Sequence, residues 1–421
     1  MKYARPRGTQ DILPPDVFVW RRVESVFDET FESFGYEPVR TPVFESTDLF
    51  LRSVGEGTDI VSKEMYTFTD RGGRSLTLRP ENTASVIRAY LESGMHRRAG
   101  TTRVSYIGPM FRYDRPQAGR YRQFHQVGVE AIGTLDPSID VEVIDVVMSG
   151  LERLGFSGLD VRINSVGCRV CRAAYGVILR RALGAVKDEL CSDCAERAKR
   201  NPMRVFDCKH CTGLTGDLPR ISDHLCDECG AHFEKVRSYL QSLGRANEHD
   251  PTLVRGLDYY TKTAFEIVHD SLGAQNALCG GGRYDDLVEQ CGGPSTPAVG
   301  FSAGLERIIS VLPQGITDEA NAETHTDVYV ACVDEVSAGR ALQVAAVLRR
   351  YARVEMDVTA RSLKKQLKGA EKSGVAVAVI VESASPGVVK WKDMAGRTQV
   401  EIEDERLADY AGKNLDKLKR R

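Results

Sequence analysis

The amino-acid sequence predicts an α+β fold with three parts: an antiparallel-sheet core, a helical cysteine-rich insertion within that core, and a C-terminal α/β domain. Three observations support this prediction. Strand patterns follow one another early in the chain, as in LTLR, RVSYIGPMFR and RQFHQVGVEAIG, which favours antiparallel pairing over βαβ units. Eight of the eleven cysteines fall within one short helical stretch. From Thr326 onward, strand patterns alternate with helical ones.

The boundaries follow from changes in this texture. We predict a core over residues 1–325, a helical insertion within it at 166–245, and an α/β domain at 326–421. The core opens with the helical stretch DVFVWRRVESVFDETFESFG. In the last domain, strands DVYVACV, RVEMDV and VAVAVIVE alternate with helices SAGRALQVAAVLRRYA and RSLKKQLKGAEKSG. The stretch LPQGITDEANAETHT has no periodicity and is the predicted linker.

Length and composition exclude several classes of protein. A chain of 421 residues predicts two or three domains. The chain has 42% apolar and 28% charged residues, and no run in it approaches the roughly 18 apolar residues of a membrane helix. Membrane functions are therefore excluded. The start MKYARPRGTQDILPP lacks an apolar signal core, which predicts a cytoplasmic protein with reduced thiols. The formal charge of −2 argues against a uniformly basic nucleic-acid binder and leaves room for a local basic patch.

The stretch FRYDRPQAGRYRQFHQVGVE predicts two antiparallel arms around a loop. Strand alternation puts on one face Arg122, Phe124, Gln126, Gly128 and Glu130. That face is too polar for a core layer, so it predicts the wall of a ligand cavity. The guanidinium of Arg112 forms a planar fork that suits phosphate or carboxylate. The alternative is a solvated hairpin whose arginines pair with Asp114 and Glu130.

Three further clusters point the same way. LVRGLDYYTKTAFEIV places Arg255 close to two tyrosines, for which aromatic packing is the alternative. In CGGGRYDDL, three glycines let the backbone approach a ligand or another strand. In GFSAGLERI, Arg307 follows a helix start, where polyphosphate can bind; a solvated arginine is the alternative.

Together these segments resemble the histidyl-tRNA synthetases, a family of class II aminoacyl-tRNA synthetases, over nearly the whole chain. RGTQDILP and FGYEPVRTPVFE resemble the family's opening and its dimer-forming first motif. FRYDRPQAGRYRQFHQVGVE is similar to the second motif and GFSAGLERI to the third. RGLDYYTKTAFE and GGGRYDDL resemble the two stretches particular to the histidine enzymes. The C-terminal block is similar to the anticodon-binding domain of class IIa synthetases.

The resemblance implies a homodimer that activates L-histidine with ATP and Mg²⁺ to histidyl-adenylate and transfers the histidyl group to the 3′ end of histidine tRNA. One alternative is the non-catalytic regulatory paralogue of the ATP phosphoribosyltransferase complex, which senses histidine. That paralogue typically lacks the anticodon domain and the RGLDYYT stretch, and both are present here. Another is an RNA-binding protein that retains an inactive nucleotide pocket.

The resemblance also implies roles for individual residues. The catalytic cations would be Arg112 and Arg255. Histidine would be bound by Glu81, Thr83, Arg112, Gln126, Glu130, Arg255, Tyr259, Tyr260 and Tyr284. ATP would be bound by Arg112, Asp114, Phe124 and Arg307. The acceptor end of tRNA would be reached by Arg115 and Gln117. Asp114 departs from the family pattern, which has Glu, so its contact with adenine would be longer or bridged by water.

The cysteines form four CxxC pairs, in CRVC, CSDC, CKHC and CDEC. Two such pairs complete a tetrahedral zinc site. We therefore expect structural Zn²⁺ at Cys168, Cys171, Cys191, Cys194, Cys208, Cys211, Cys226 and Cys229. An iron–sulfur cluster and free structural thiols are the alternatives. The sequence does not determine which pairs join.

Overall fold

The computed structural model of the chain describes residues 3–55, 58–114, 120–208, 210–272, 276–322, 326–357 and 361–415. The chain divides into two compact units, Met1–Thr317 and Asp318–Arg421. Across these described ranges, no helix combines the length and apolar character that crossing a membrane requires.

In the first unit, helices α1 to α9 are, in chain order, Asp16–Ser33, Thr47–Val54, Thr83–Glu92, Pro137–Arg153, Arg169–Ala185, Ser192–Arg200, Asp227–Ser242, Leu287–Gln290 and Leu305–Ser310. Strands β1 to β11 are Glu37–Pro38, Phe44–Ser46, Tyr66–Thr69, Ser75–Leu78, Thr102–Phe111, Gln123–Ile132, Asp160–Ser165, Asn247–His249, Thr261–Val268, Ala277–Arg283 and Ala298–Gly304.

An eight-stranded sheet in the order β1-β5-β6-β11-β10-β9-β7-β8 organises this unit. Its six central strands pair antiparallel, which confirms the predicted core, and the edge pairs β1–β5 and β7–β8 are parallel. The LTLR strand lies elsewhere. It is β4, which pairs with β2 and β3 in a separate small sheet, because α3 starts at Thr83 and separates it from β5.

One face of the large sheet is covered by α1 and α4. Val127 and Val129 of β6 share a buried cluster with Trp20 and Phe27 of α1 and with Ile144 of α4. Fully burying a side chain of this size stabilises the fold by about 1.5–3 kcal/mol. This apolar packing takes one set of alternating β6 residues and leaves the other set for the opposite face.

A buried ion pair joins β10 to α4. Arg283 and Asp140 are both fully buried, and Nη2 of Arg283 lies 2.7 Å from a carboxylate oxygen of Asp140. The guanidinium also donates to Asp285 and to the carbonyl of Thr134, each at 3.0 Å. The Arg283 guanidinium and other contacts hold the pKa of Asp140 below its usual value despite its burial.

The insertion has a small core of its own. Its buried residues include Tyr175 and Leu179 of α5, together with Val205 and Ile221. Helix α7 differs: its apolar face belongs to the core of the large sheet through Phe233, Val236 and Leu240. The last helix of the predicted insertion therefore packs with the sheet.

The boundary between the units falls within a helix, α10 (Gln314–Ala322), that occupies most of the predicted linker, and the second unit continues from Asp318. Its strands β12 to β16 are Val328–Cys332, Val354–Met356, Val377–Val381, Val388–Asp393 and Gln399–Glu403. Its helices α11 to α13 are Ala338–Leu348, Leu363–Lys372 and Leu407–Leu415. The order is β13-β12-β14-β15-β16, with the first three parallel as their alternation with helices predicts.

We expect Asp140→Ala to lower the free energy of unfolding by about 3–5 kcal/mol, because it removes the fully buried carboxylate from the Arg283 guanidinium and leaves it only the partly exposed Asp285 as an ionic partner. Urea unfolding can be followed by the fluorescence of Trp20 in a Trp391→Phe background, so that the signal reports the sheet unit. Arg74→Ala removes the exposed partner of Asp70, leaves the backbone hydrogen bonds that Asp70 accepts in place, and should cause no measurable change. Equal losses in both variants would contradict the prediction.

Candidate active site

A cavity of about 310 Å³ opens on the face of the large sheet opposite to α1 and α4 and is lined from β6, β10 and β11. The structure brings together around it nine residues predicted from sequence: Glu81, Thr83, Arg112, Gln126, Arg255, Tyr259, Tyr260, Tyr284 and Arg307. They come from six separate stretches of the chain. Their convergence depends on the sheet pairing and is not a local effect.

A second cavity of about 360 Å³ adjoins the first. The two share Arg112, Gln126 and Arg307, and the second adds Asp114 and Phe124. The first cavity, called the histidine cavity below, is lined by all the residues predicted to bind histidine except Glu130, and the second is lined by the residues predicted to bind adenine. Arg112 and Arg307 line both cavities, and Arg255 lines the first alone.

The Arg112 side chain is held in place by a backbone carbonyl and an aromatic ring. Its Nε donates to the carbonyl of Pro80 at 2.8 Å, and its guanidinium lies 5.2 Å from the ring centroid of Phe124. Burial lowers the pKa of Arg112, and the carboxylates of Glu64 and Glu81 act in the opposite direction. The guanidinium stays charged, because arginine side chains are not deprotonated in proteins.

Arg255 stands across the cavity and is paired with Glu266 of β9. Burial works against its charge, but the carboxylate of Glu266 outweighs this and raises the pKa of Arg255. A Cβ at Gly280 would collide with the guanidinium, so glycine is required there for Arg255 to lie against β10. The first residue of the predicted triple glycine is therefore a glycine for a steric reason.

Arg307 lies close to a second guanidinium. Burial lowers the pKa of Arg307, the charge of Arg120 lowers it further, and Glu266 opposes both. Arg120 lines both cavities and pairs with Asp114 at 3.3 Å. Like charges at one wall repel each other, so a bound anion would relieve this arrangement.

Two carboxyl groups lie deep at the other end. Glu81 accepts the backbone N–H groups of Thr83 and Ala84 at 2.7 and 3.0 Å. Glu130 is 1% exposed and accepts hydrogen bonds from the hydroxyls of Thr83, at 2.7 Å, and Tyr284. The side chains of Thr83 and Tyr284 therefore lie between the Glu130 carboxyl and the cavity, and Glu130 is connected to the cavity by their hydroxyl groups.

Burial raises the pKa of Glu130 to about 8, against the lowering effect of its hydrogen bonds from Tyr284 and Thr83. Glu81, a second acid nearby, adds to the increase. A Cβ at Gly300 would collide with the Glu130 carboxylate, so this carboxyl also lies against a glycine. The group therefore holds its proton over part of the neutral range.

Aromatic rings form the remaining wall. The ring centroids of Tyr259 and Tyr260 lie 4.8 Å apart, and those of Tyr259 and Tyr284 lie 5.5 Å apart with an edge-to-face arrangement. Oε1 of Gln126 and Nε of Arg255 are buried with no hydrogen-bond partner among the described residues. Buried polar atoms in native proteins normally have partners, so these two atoms point to a ligand.

Several residues of the site carried no clear signal in the sequence. Arg120 lies in the same motif as the predicted Arg115 and Gln117 and could have been found there; the latter two lie outside the described residues. Glu266 is the one half-buried residue of the otherwise buried strand β9, and an acid inside the apolar run TAFEIV could have drawn attention to it. Glu64 stands in a segment without periodicity, and nothing in the sequence points to it.

The eight clustered cysteines form two groups. The proximal group is Cys168, Cys171, Cys226 and Cys229, and the distal group is Cys191, Cys194, Cys208 and Cys211. In each group the four Sγ atoms lie within 4.8 Å of one another, an arrangement that could hold a metal ion. All eleven cysteines of the chain are free of disulfides.

The antiparallel sheet, the arginines between two cavities and the separate C-terminal α/β unit define a class II aminoacyl-tRNA synthetase. The histidyl-tRNA synthetase family profile matches residues 8–200 and 208–308, and an anticodon binding domain profile matches 327–414. The chain belongs to the histidyl-tRNA synthetase family.

Individual relatives agree with this assignment. The histidine–tRNA ligase of Halothermothrix orenii is 48% identical over 96% of this chain and 97% of its own length. That of Thermotoga maritima is 46% identical over 99% and 100%. The crystal structure of apo S. aureus histidyl-tRNA synthetase has a TM-score of 0.80 at 37% identity, covering 97% of this chain and all of its own.

Glu130→Gln tests the buried carboxyl. Because the folded pKa lies above the usual 4.5, the carboxyl stabilises the fold fully below about pH 4.5, and this contribution is lost as the pH rises towards 8. We expect wild type to lose stability relative to Glu130→Gln over that window, by up to about 1.4 kcal/mol per pH unit. Urea unfolding at a series of pH values measures it.

The exposed Glu32→Gln on α1 is the control, for which the difference from wild type should not vary with pH in this window. A flat difference for Glu130→Gln as well would contradict the raised pKa.

Proposed function

We propose that this protein is a histidine–tRNA ligase: it activates L-histidine with ATP to histidyl-adenylate and transfers the histidyl group to the 3′ end of histidine tRNA, releasing AMP and pyrophosphate. The observation that carries the proposal is the position of Arg112 and Arg307, which line both cavities, with Arg255 facing them in the histidine cavity. A carboxylate and a triphosphate bound in adjoining cavities would meet among these cations.

Activation is an in-line attack of the histidine carboxylate on the α-phosphorus, with pyrophosphate leaving. Arg112 and Arg255 supply positive charge on two sides of that phosphorus, and Arg307 supplies it at the distal phosphates. These guanidiniums are already placed by Pro80, Glu266 and the sheet, so little reorganisation is needed when charge builds up. Asp114 and Phe124 would hold the adenine, with Phe124 stacked on its ring.

Selection of histidine depends on the tyrosine end of the cavity. Neutral imidazole has one donor and one acceptor nitrogen, which a phenol and a carboxyl can satisfy together. Tyr260 and Glu130 are the proposed pair, with Glu130 acting through the hydroxyls of Tyr284 and Thr83 that cover it. Glu81 and Thr83, assisted by Gln126, would receive the α-amino group, and Oε1 of Gln126, which has no partner among the described residues, fits this role. An amino acid without the nitrogens would leave these groups unpaired.

Two metals belong to the proposal. Mg²⁺ enters with ATP as part of the substrate and neutralises phosphate oxygens, held mostly by ATP itself. Zn²⁺ is the ion proposed for the cysteine groups, because ligand sets made only of thiolates favour it.

The partner of the whole chain would be histidine tRNA in the cytoplasm. Arg115 and Gln117 are proposed to reach the acceptor end. The second unit would bind the anticodon stem, where exposed Lys364, Lys365 and Lys368 lie on one helix and can meet phosphates. A solvated helix face would look the same, so salt-dependent tRNA binding by Lys→Ala variants distinguishes the two.

One assay distinguishes the ligase from the two alternative functions. Histidine-dependent exchange of pyrophosphate into ATP is expected for the ligase and absent for a regulatory paralogue. Intact tRNA binding without exchange would instead support a binding protein with an inactive pocket. The relatives that match over the full chain are named histidine–tRNA ligases, which favours the enzyme.

We expect Arg112→Ala to lower kcat for the exchange reaction by about 10²–10³-fold, because a pre-placed charge in the transition state is lost. Arg71→Ala, on an exposed turn of the same unit, is the matched control and should leave the rate unchanged. Equal rates for the two variants would contradict the role given to Arg112.

The proposed homodimer has a candidate surface. Val43, Phe44 and Phe68 are 39%, 48% and 44% exposed; the two phenylalanines lie on β2 and β3 of the small sheet, and Val43 immediately precedes β2. Val43 and Phe44 belong to the first class II motif. Exposed apolar side chains grouped in this way are typical of a surface that a second subunit covers.

We expect the double variant Phe44→Glu, Phe68→Glu to sediment as a monomer at concentrations where wild type sediments as a dimer, because two charges would be buried in the contact. Val400→Glu, also at an exposed apolar position but in the second unit, is the control. A wild-type monomer, or a double variant that stays dimeric, would overturn this surface.

A further inference from the structure

The cysteine groups have the dimensions of a metal site. The Sγ atoms of Cys168 and Cys171 lie 3.6 Å apart, and those of Cys191 and Cys208 lie 3.7 Å apart. Four thiolates bound to one Zn²⁺ at about 2.3 Å, at the corners of a tetrahedron, lie about 3.8 Å from each other. An iron–sulfur cluster would spread its four ligands more widely, because the cluster itself fills the space between them.

The surrounding backbone suits thiolates. Cys168, Cys191 and Cys226 each immediately precede the first residue of a helix, where the partial positive charge of the helix N-terminus favours an anionic sulfur. The N–H of Cys226 donates to Sγ of Cys171 at 3.1 Å, and that of Cys191 donates to Sγ of Cys211 at 3.4 Å. Thiols packed only as apolar side chains would not need this arrangement.

The pairing is nested. The first CxxC joins the fourth in the proximal group, and the second joins the third in the distal group. The distal group therefore closes a loop that lies wholly inside the loop closed by the proximal group. One ion would tie together the interior of the insertion, and the other would tie its two ends.

The proximal group is linked to the segment that carries the tyrosine pair. Glu228, between Cys226 and Cys229, accepts a hydrogen bond from Nζ of Lys262 at 2.7 Å. Lys262 follows the tyrosine pair by two residues and has a φ of 45°, in the left-handed region that favours glycine.

The backbone of Lys262 is held as well. Its carbonyl accepts from the N–H of Val166 at 2.7 Å, and its own N–H donates to the carbonyl of Gly167 at 2.9 Å, immediately before Cys168. A Cβ at Gly167 would lie 2.6 Å from Cβ of Cys171, so chain and cysteine are in close contact there. The unusual conformation of Lys262 thus depends on the start of the insertion.

Residues of the insertion also form hydrogen bonds with the chain on the N-terminal side of the tyrosine pair. Arg172, next to Cys171, donates to the carbonyl of Asp258 at 3.2 Å, and Arg204 donates to the carbonyl of Gly256 at 3.0 Å. Nδ2 of Asn201 donates to the Asp258 carboxylate at 2.7 Å. Residues 255–262, which carry Arg255 and both tyrosines, are therefore fastened at both ends to parts of the insertion that flank cysteines.

We propose that the insertion carries two structural Zn²⁺ ions, one in each cysteine group, and that they lock the segment 255–262 against the histidine cavity. Each ion binds four thiolates, and the thiol protons that remain are released to solvent. The inference rests on the proposed histidine activation for its kinetic readout only. Without the ions, the contacts from Arg172, Arg204 and Glu228 would lose their fixed positions.

The first test is metal content. Wild type should contain two equivalents of zinc per chain. The double variant Cys168→Ser, Cys171→Ser, in the proximal group, should retain about one equivalent. The double variant Cys191→Ser, Cys194→Ser, in the distal group, should also retain about one. Replacement by Co²⁺ should give the intense absorption of tetrahedral thiolate coordination. Less than about a tenth of an equivalent in wild type would overturn the proposal.

The second test is the locking of the segment, by hydrogen exchange of residues 255–262 and by KM for histidine. Removal of zinc by a chelator should deprotect this segment and raise KM for histidine several-fold more than KM for ATP, and zinc should restore both. Unchanged protection and KM after full zinc loss would overturn the locking role.

A variant that keeps all the cysteines shows whether a change in KM comes from the lost links or from misfolding of the insertion. Arg172→Met, Lys262→Met should keep two zinc ions and still raise KM for histidine at least about five-fold; the exposed Arg181→Met on α5 should change neither. Wild-type KM in the double variant would overturn the role of these links. If zinc loading and segment protection change together but no exchange activity exists in wild type, the proposed function fails and the metal inference stands.

Discussion

The antiparallel pairing of β6 between β5 and β11 decides which side chains reach the cavity. Strand residues alternate between faces, so the pairing gives Val127 and Val129 to the apolar core and Gln126 and Glu130 to the ligand side. A slip by one residue would exchange the two sets and bury the wrong atoms in the core. The apolar packing under α1 and α4 therefore fixes the register, and the register fixes the chemistry of the opposite face.

The cavity is positively charged at one end and acidic at the other, and each charge has a physical support. Arg255 has Glu266, Arg112 has the Pro80 carbonyl, and Glu81 has two backbone amides. Arg120, which pairs with Asp114, and Arg307 add positive charge to one wall. The charged groups are thus held in place by the protein itself, an arrangement suited to binding an anionic substrate and stabilising added charge.

Local signals in the sequence predicted much of this. Strand alternation in RQFHQVGVE identified the ligand face, and the βα rhythm identified the second unit, because both depend on neighbouring residues only. The separate sheet that holds β4, the edge strand pairs and the nesting of the cysteines depend on contacts far apart in the chain. Glu64 shows the same limit: its position beside Arg112 comes from tertiary packing alone.

The glycines beneath the site bear on how its substrate range can change. Gly280 and Gly300 leave no room for any side chain, since one lies against Arg255 and the other against Glu130. A side chain at either glycine would displace Arg255 or Glu130, so a change of cavity shape that keeps both residues in place is better made on the tyrosine side. Engineering that aims to admit enlarged histidine analogues should accordingly trim Tyr259, Tyr260 or Tyr284 and leave the strands untouched.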